Sequence, residues 1–450
     1  MVRSVALLVA GAIIACSPNA VAEAARVPAA ITNDLRALLS AARGAPEMVC
    51  SLASDAIDRN GWGRGMRAPH TPLSPVQLSD DDDARGRHLA DADVALMLEN
   101  VSSADRCVRS LAVRMLGRSG GEMATRGLAT RLSDTAATVR ETAALGLGLI
   151  EPKTVTPALI AVLRDNATGV RANAAWALGR VEDGAALRPL MGVLTDADST
   201  VREAAIGAIG QLDSSSAIPA LLRVLKDDKV ASVRRTAAWA LGNLEAESAA
   251  RDLSDVLGRD SDPRVREMCA WALGNIDAKA SVNGLQISAQ RDADKNVRET
   301  AVWALGELGS AEATDVLGEV LAKDTDQHVR ATAAWALGNI DTRKAPPGLI
   351  LAVGDADDEI RVKAAWALGE IRDPAAVPAL KVAIKRERNA KARRAQLRAL
   401  IESGEHSEAM LTDLLDSSDA SVREAAVRSL AGRSATDPWP WPQPRPRPFP

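Results

Sequence analysis

With 450 residues, 47% of them hydrophobic, the chain has ample material for a buried core, yet only 2% are aromatic, with no Tyr and one Phe. Such a core has to be built from Ala, Leu, Val and Ile in thin, close-packed helices, because β-rich folds lean on aromatic and β-branched side chains. A formal net charge of -4 supplies no basic field for nucleic acid, so no nucleic-acid partner is expected.

Residues 1–22 have the shape of an export signal: Arg3 near the start, an apolar run from Val5 to Ala15, then Pro18 and a short polar stretch. The run is too short to span a bilayer. Two processing routes fit it. Ala20-Val21-Ala22 before Glu23 suits ordinary cleavage to a soluble mature form, whereas Ile13-Ile14-Ala15-Cys16 resembles the lipobox of bacterial lipoproteins and would place a lipid on Cys16. Both routes imply an exported protein, periplasmic or envelope-associated. Residues 23–59 carry two helical segments, around Ala29 to Ala42 and Pro46 to Ile57, expected to form a divergent capping hairpin. Cys50 in this segment and Cys107 beyond it are candidates for a disulfide, which an oxidising compartment permits. Between 60 and 86 the composition turns to Gly, Pro, His and Asp, including Asp80 to Asp83, and a flexible loop is expected.

From 87 to 433 the chain repeats itself. A Val-Arg pair recurs with its Arg at Arg109, Arg140, Arg171, Arg202, Arg234, Arg266, Arg298, Arg330, Arg361 (after Ile), Arg393 (after Ala) and Arg423. The steps are 31, 31, 31, 32, 32, 32, 32, 31, 32 and 30 residues, a regularity that marks an array of about eleven units. Within one unit Val265, Met268, Cys269, Ala272, Leu273 and Ile276 fall on one face of a helix. An apolar stretch upstream, such as Pro157 to Leu163, supplies a first helix, with Pro157, Pro189, Pro219 and Pro378 where a first turn tolerates Pro. Each unit is therefore helix A, turn, helix B. Asp198, Asp262, Asp294, Asp326, Asp357 and Asp419 stand four residues before the Arg, where a carboxylate caps helix B and faces its positive dipole end. Two short helices cannot bury both their faces alone, so the units must stack. Gly117, Gly148, Gly179, Gly210, Gly242, Gly274, Gly306, Gly338 and Gly369, eight residues after each Arg, would admit the next helix closely.

Strings such as V-R-R-T-A-A-W-A-L-G-N-L at 233–244 resemble HEAT repeats, and most closely the short bacterial subclass first named for phycobilin lyases. The resemblance covers 87–433. It implies an all-α fold, a right-handed α-α superhelix (a HEAT/ARM-like solenoid) of about eleven helical hairpins, with a curved binding surface and no single activity. It also implies a ladder along the stack in which Asp134, Asp165, Asp196, Asp228, Asp260, Asp292, Asp324 and Asp355 match the Arg six residues later. Capping and this ladder account for the recurring Asp-x-Asp turns, which lack the Gly and distal Glu of a calcium loop.

Residues 434–450 form a different segment, with Pro from 438 onward alternating with Trp439, Trp441, Gln443, Arg445, Arg447 and Phe449. Pro removes backbone donors, so a disordered, polyproline-like tail is expected, which resembles the X-Pro runs of periplasm-spanning proteins and cationic membrane-touching peptides. Contact with a membrane is expected only through this tail or a lipid on Cys16.

Only four His are present, at 70, 88, 328 and 406, and neither Cys-x-x-Cys nor His-Glu-x-x-His occurs, so no metal and no cofactor are expected. No catalytic residues are assigned and the chain is not expected to be an enzyme. The expected function is an exported scaffold that binds a protein or an extended peptide, including its own C-terminal tail, on the concave face lined by the B helices. The alternative is an enzyme accessory or a lyase-like member of the family. The candidate binding ridge is Trp176, Trp239, Trp271, Trp303, Trp335 and Trp366, five residues after the repeat Arg, flanked by Asn243, Asn275, Glu307, Asn339 and Glu370 four residues further on. A second reading has each indole seal the seam with the next repeat. Around α-helical position 380–398, eight Lys and Arg surround Glu387, which reads as a solvated charged face.

Overall fold

The computed structural model describes residues 31–46, 50, 89–405 and scattered positions between 407 and 427. The segments expected to be an export signal (1–22), a loop (60–86) and a tail (434–450) lie outside the described residues, as do Asp419, most of the second expected capping segment and most of the eleventh repeat. Among the described residues there are 21 α-helices and no strand. Helix α1 (Ile31–Ala42) precedes ten helical hairpins.

The chain divides into two compact units, one through Ala240 and one from Leu241. The first holds the hairpins α2 (Asp91–Asn100) with α3 (Arg106–Ser119), α4 (Glu122–Arg131) with α5 (Ala137–Ile150), α6 (Thr156–Val162) with α7 (Thr168–Val181), and α8 (Leu187–Gly192) with α9 (Ser199–Gln211). It continues through α10 (Ile218–Asp227) into α11 (Ala231–Asn243), which carries the division. The second unit pairs α12 (Ala250–Arg259) with α13 (Pro263–Asn275), α14 (Val282–Arg291) with α15 (Lys295–Leu308), and α16 (Thr314–Lys323) with α17 (Gln327–Asn339). Its last pairs are α18 (Pro347–Ala352) with α19 (Asp358–Ile371) and α20 (Val377–Arg386) with α21 (Ala390–Glu402).

The sequence signals act locally as expected. The side chains of Asp198, Asp262, Asp294, Asp326 and Asp357 each accept a backbone N–H in the first turn of the following B helix. Asp105 does the same for α3, and Asn389 for α21. Several B helices end on a left-handed residue, Gly309 after α15 but Glu151, Glu182 and Arg372 after α5, α7 and α19, and a 3-10 turn then feeds the next A helix. Most A helices bury a Leu completely, Leu128, Leu159, Leu190 and Leu221 in the first unit and Leu253, Leu285, Leu317, Leu349 and Leu380 in the second, while in α2 Met97 takes that place. The Val of each Val-Arg pair is buried equally, as at Val170, Val201, Val265, Val297 and Val329. This is an amphipathic A helix closing over its own B helix.

Repeat length shapes the A helices. Where the Arg steps are 32 residues, as for α10, α12, α14 and α16, the A helix has ten residues; in the 31-residue steps containing α6, α8 and α18 it has seven, six and six. In those steps the final α-helical turn closes as a tighter turn, whereas α4, in the 31-residue step from Arg109 to Arg140, keeps ten residues.

Close approach of successive B helices requires the repeat glycines. A Cβ built on Gly274 would lie 2.8 Å from Cζ3 of Trp303 and 2.9 Å from Cα of Ala304. Gly148, Gly210, Gly242, Gly306 and Gly338 face the following Trp in the same way, within the unit that contains each. Since backbone on α15 cannot retreat without moving the helix, Gly274→Ala should destabilise by about 1–3 kcal/mol despite the better helix propensity of Ala. Gly258 on α12 has nothing within 4 Å of its Cβ position. Gly258→Ala should therefore raise stability by about 0.5–1 kcal/mol. Urea melts of both variants, followed by circular dichroism, check this opposition of signs.

Candidate functional site

The repeat Arg is the first element of the site, because it fixes the register between neighbouring hairpins. Arg266 donates from Nη1 to the backbone carbonyl of Asp260 at 2.8 Å, inside its own repeat. Its Nε and Nη2 donate to the two carboxylate oxygens of Asp292 in the next repeat, at 2.7 and 2.8 Å. Asp292 Oδ1 also accepts the backbone N–H of Asp294 at 2.9 Å. The same three-point arrangement joins Arg140 to Asp165, Arg171 to Asp196, Arg202 to Asp228 and Arg298 to Asp324. The ladder implied by the family thus has a definite wiring: the Arg six residues after an Asp takes that Asp's carbonyl, while its charge pairs with the next Asp along. At Arg361 the partner is Glu387, in bidentate contact at 2.7 and 3.0 Å, and at Arg330 the contact with Asp355 loosens to 3.7 Å.

These pairs are nearly out of solvent. The Arg266 and Asp292 side chains are 15% and 7% exposed. Burial pushes the Asp292 carboxyl up, but the Arg266 hydrogen bonds, the Asp294 N–H and the charges of Arg266 and Arg298 outweigh it and hold the group below the usual carboxylate range. The Asp228 and Glu387 carboxyls are lowered against the same burial penalty. For Asp165 the hydrogen bond from Arg140 is the dominant cause of a lowered value.

The second element is the Trp series, and here the ridge reading needs correction. Trp176, Trp239, Trp303, Trp335 and Trp366 are buried, between 2% and 8% exposed, and Trp271 is half-buried. Each indole lies over the Gly of the preceding B helix, filling space that a side chain at that Gly would occupy. They are seam residues. An aromatic ring this large is retained in the interface because it buries more apolar area than any other side chain could over a Gly floor. Periodicity placed all six at one register, which is also where they are found, but could not say whether that register faced a neighbour or solvent.

What remains open on the B helices is the polar row. Asn243, Asn275, Glu307, Asn339 and Glu370 are all exposed, one per hairpin. Two of them are tied to the seam beneath. Trp303 donates from Nε1 to Glu307 Oε1 at 2.8 Å, and Asn275 donates from Nδ2 to the carbonyl of Gly242 at 2.9 Å. Arg398 approaches Glu370 at 3.9 Å. In the first unit the corresponding positions are Arg118, Leu149, Arg180 and Gln211, and Arg180 pairs with Glu151. The second unit therefore presents a row of amides and carboxylates, the first unit a basic and neutral one. This difference was legible nine residues after each Arg.

Cys50 and Cys107 are joined in a disulfide with Cα atoms 5.5 Å apart. A second tie sits beside it, where the Gly44 N–H donates to Asp105 Oδ2 at 2.8 Å. The N-terminal segment is thereby fastened to the start of α3. Cys269 is buried in α13 and takes no part in a disulfide. Among the described residues no group of His, Cys, Asp and Glu has metal-holding geometry.

Residues 94–169, 156–241, 228–290, 283–359 and 346–431 match HEAT repeats. No curated protein matches the chain. Among solved structures, an engineered protein is 22% identical over 75% of this chain and 98% of its own, with a TM-score of 0.38. The CpcE and CpcF complex of phycocyanin lyase from Nostoc sp. PCC7120 is 23% identical over 55% of this chain and 97% of that one, with a TM-score of 0.33. Kap95p, solved with RanGDP, is 14% identical over 96% of this chain and 66% of its own, with a TM-score of 0.56. At that identity the likeness concerns the fold alone.

The ladder makes a pH prediction. Carboxyls held below their unfolded value of about 3.9 contribute stability that is fully present above that value and is lost as pH falls through the lower folded value. Urea midpoints should stay level from about pH 6 to 8 and fall below about pH 4. Asp292→Asn leaves Arg266 without its counter-charge and should cost about 1.5–3 kcal/mol at pH 7, with a flatter decline in acid. Equal slopes for the two proteins between pH 5 and 3 would show that this rung is not stabilising.

Proposed function

The chain belongs to the HEAT-repeat family, and from that premise we propose that it is an exported, non-enzymatic scaffold whose second unit holds an extended cationic segment of a protein partner along its B helices. The observation that carries the reading is the exposed row Asn243, Asn275, Glu307, Asn339 and Glu370. Its elements recur at the spacing of packed helices, about 8–10 Å, and three residues of a polyproline helix advance about 9 Å. One extended strand of peptide can meet one member of the row per hairpin. Amides bind its backbone groups and the carboxylates of Glu307 and Glu370 bind its Lys or Arg side chains. In the family the B helices line the concave side, which suits a strand lying lengthwise.

The Trp seams serve this reading indirectly. Trp303 holds the Glu307 carboxylate through its indole N–H, so the acceptor is oriented before a ligand arrives. Export is supported by the shape of residues 1–22 and by the Cys50–Cys107 pair, since such bonds persist in oxidising compartments. A candidate occupant is the chain's own tail, where Pro alternates with Arg445 and Arg447.

A synthetic peptide of residues 434–450, titrated into the chain shortened to residue 433 and followed by calorimetry, tests the reading. Glu307→Arg combined with Glu370→Arg should weaken binding at least tenfold, about 1.4 kcal/mol or more, while leaving the thermal midpoint within a few degrees. Binding that is unchanged by the reversals, or absent in the parent protein and in a panel of other Arg-Pro peptides, would overturn it.

A further inference from the structure

A second surface lies on the A-helix side of the second unit, away from the row just described. The short helix α18 and its successor α20 flank an open groove of about 690 Å³, walled by Ile350, Leu351, Val353, Pro378, Ala379 and Val382. Leu351 is 74% exposed and Val382 52% exposed. A single exposed aliphatic side chain is ordinary on a folded surface, but these two stand together on one groove.

The rim is cationic. Arg386 and Arg388 line the groove, and Lys385 and Lys391 are exposed in the same hairpin. Among the described residues none of these four enters an ion pair. Of the acidic groups nearby, exposed Asp358 accepts from Asn389 Nδ2 beside Arg388 and Lys391, and the others are paired with cations. Glu387 is buried and bound to Arg361, Asp355 faces Arg361 and Arg330, and Glu405 takes Lys381. Positive charge is thus concentrated here although the whole chain carries -4.

We propose that this face docks on an anionic phospholipid surface, with Leu351 and Val382 entering the headgroup boundary and Lys385, Arg386, Arg388 and Lys391 meeting the phosphates. Protruding aliphatic side chains inside a cationic collar match that boundary chemically, apolar below and negatively charged above. Charge complementarity selects an anionic over a neutral surface. Guanidinium groups at the groove edge, with free donors, suit phosphate oxygens. An acidic protein is the competing occupant, and the test separates the two.

The exported protein carrying Cys16→Ser, so that no lipid is attached to it, is sedimented with vesicles of one part phosphatidylglycerol to three parts phosphatidylethanolamine, and with vesicles of phosphatidylcholine alone. Binding to the first and at least tenfold weaker binding to the second is the expected result. Leu351→Asp with Val382→Asp, and separately Lys385→Glu with Arg386→Glu, should each reduce anionic-vesicle binding about tenfold or more. All four positions are solvent-facing, and a circular dichroism melt confirms that the variants fold. Removing residues 434–450 from the same protein identifies any share carried by the tail. Absence of binding to anionic vesicles, binding that survives both pairs of substitutions, or binding abolished by tail removal alone would overturn the proposal and leave the face to an acidic protein.

Discussion

Arg140, Arg171, Arg202, Arg266, Arg298 and Arg361 are each held at three points, by a carbonyl of their own hairpin and by both oxygens of a carboxylate in the next, and the stack depends on that sharing. The carbonyl fixes the Arg within its turn, as for Arg266 with Asp260, so the guanidinium plane is already oriented when the next hairpin presents Asp292. A planar guanidinium with paired donors can meet a carboxylate in two bonds only when register and angle are both right. Because Asp292 also caps its own turn through the Asp294 N–H, one carboxylate couples the local fold of a hairpin to its placement on the neighbour. Nearest-neighbour coupling of this sort is what lets an array without a central core behave as a folded body.

The seams between B helices meet a different constraint, which is volume. Gly on one helix and Trp on the next form a complementary pair, with the indole set where a Cβ would have been. Packing of this density gives the Trp side chains to the interior, and it leaves the residue four positions later, one turn beyond the seam, at the surface. The exposed Asn and Glu row is thus a by-product of seam geometry as much as a feature of its own. Its orientation is inherited from rigid elements, which suits a surface meant to be read by a partner.

The two faces of the second unit differ in chemistry for the same structural reason. B helices pack closely and expose only the polar positions at their margin. A helices leave more of their surface open, and Leu351 on α18 and Val382 on α20 stand exposed beside a groove. The polar row of the B helices and the aliphatic groove of the A helices therefore share no residue, so the two proposed roles do not compete for a side chain.

The period near 31 and 32 residues, the helical spacing of apolar positions and the capping Asp residues determined the all-α repeat fold, because each of those signals is local: it acts within one turn or one hairpin. The wiring of the ladder was only half legible, since the family pattern pairs each Asp with the Arg six residues on, whereas the charge partner stands 25 or 26 residues away in the next hairpin. The register of the Trp residues was plain in the sequence; their burial was not, because a position at the edge of an apolar stripe becomes seam or surface according to how near the next helix comes, and that distance is set by the Gly of a different repeat. The same holds for Leu351 and Val382, which read as ordinary apolar positions of helix A until the tertiary packing left them uncovered. Local chemistry is written in the chain residue by residue, while exposure is a property of two hairpins together and only their packing decides it.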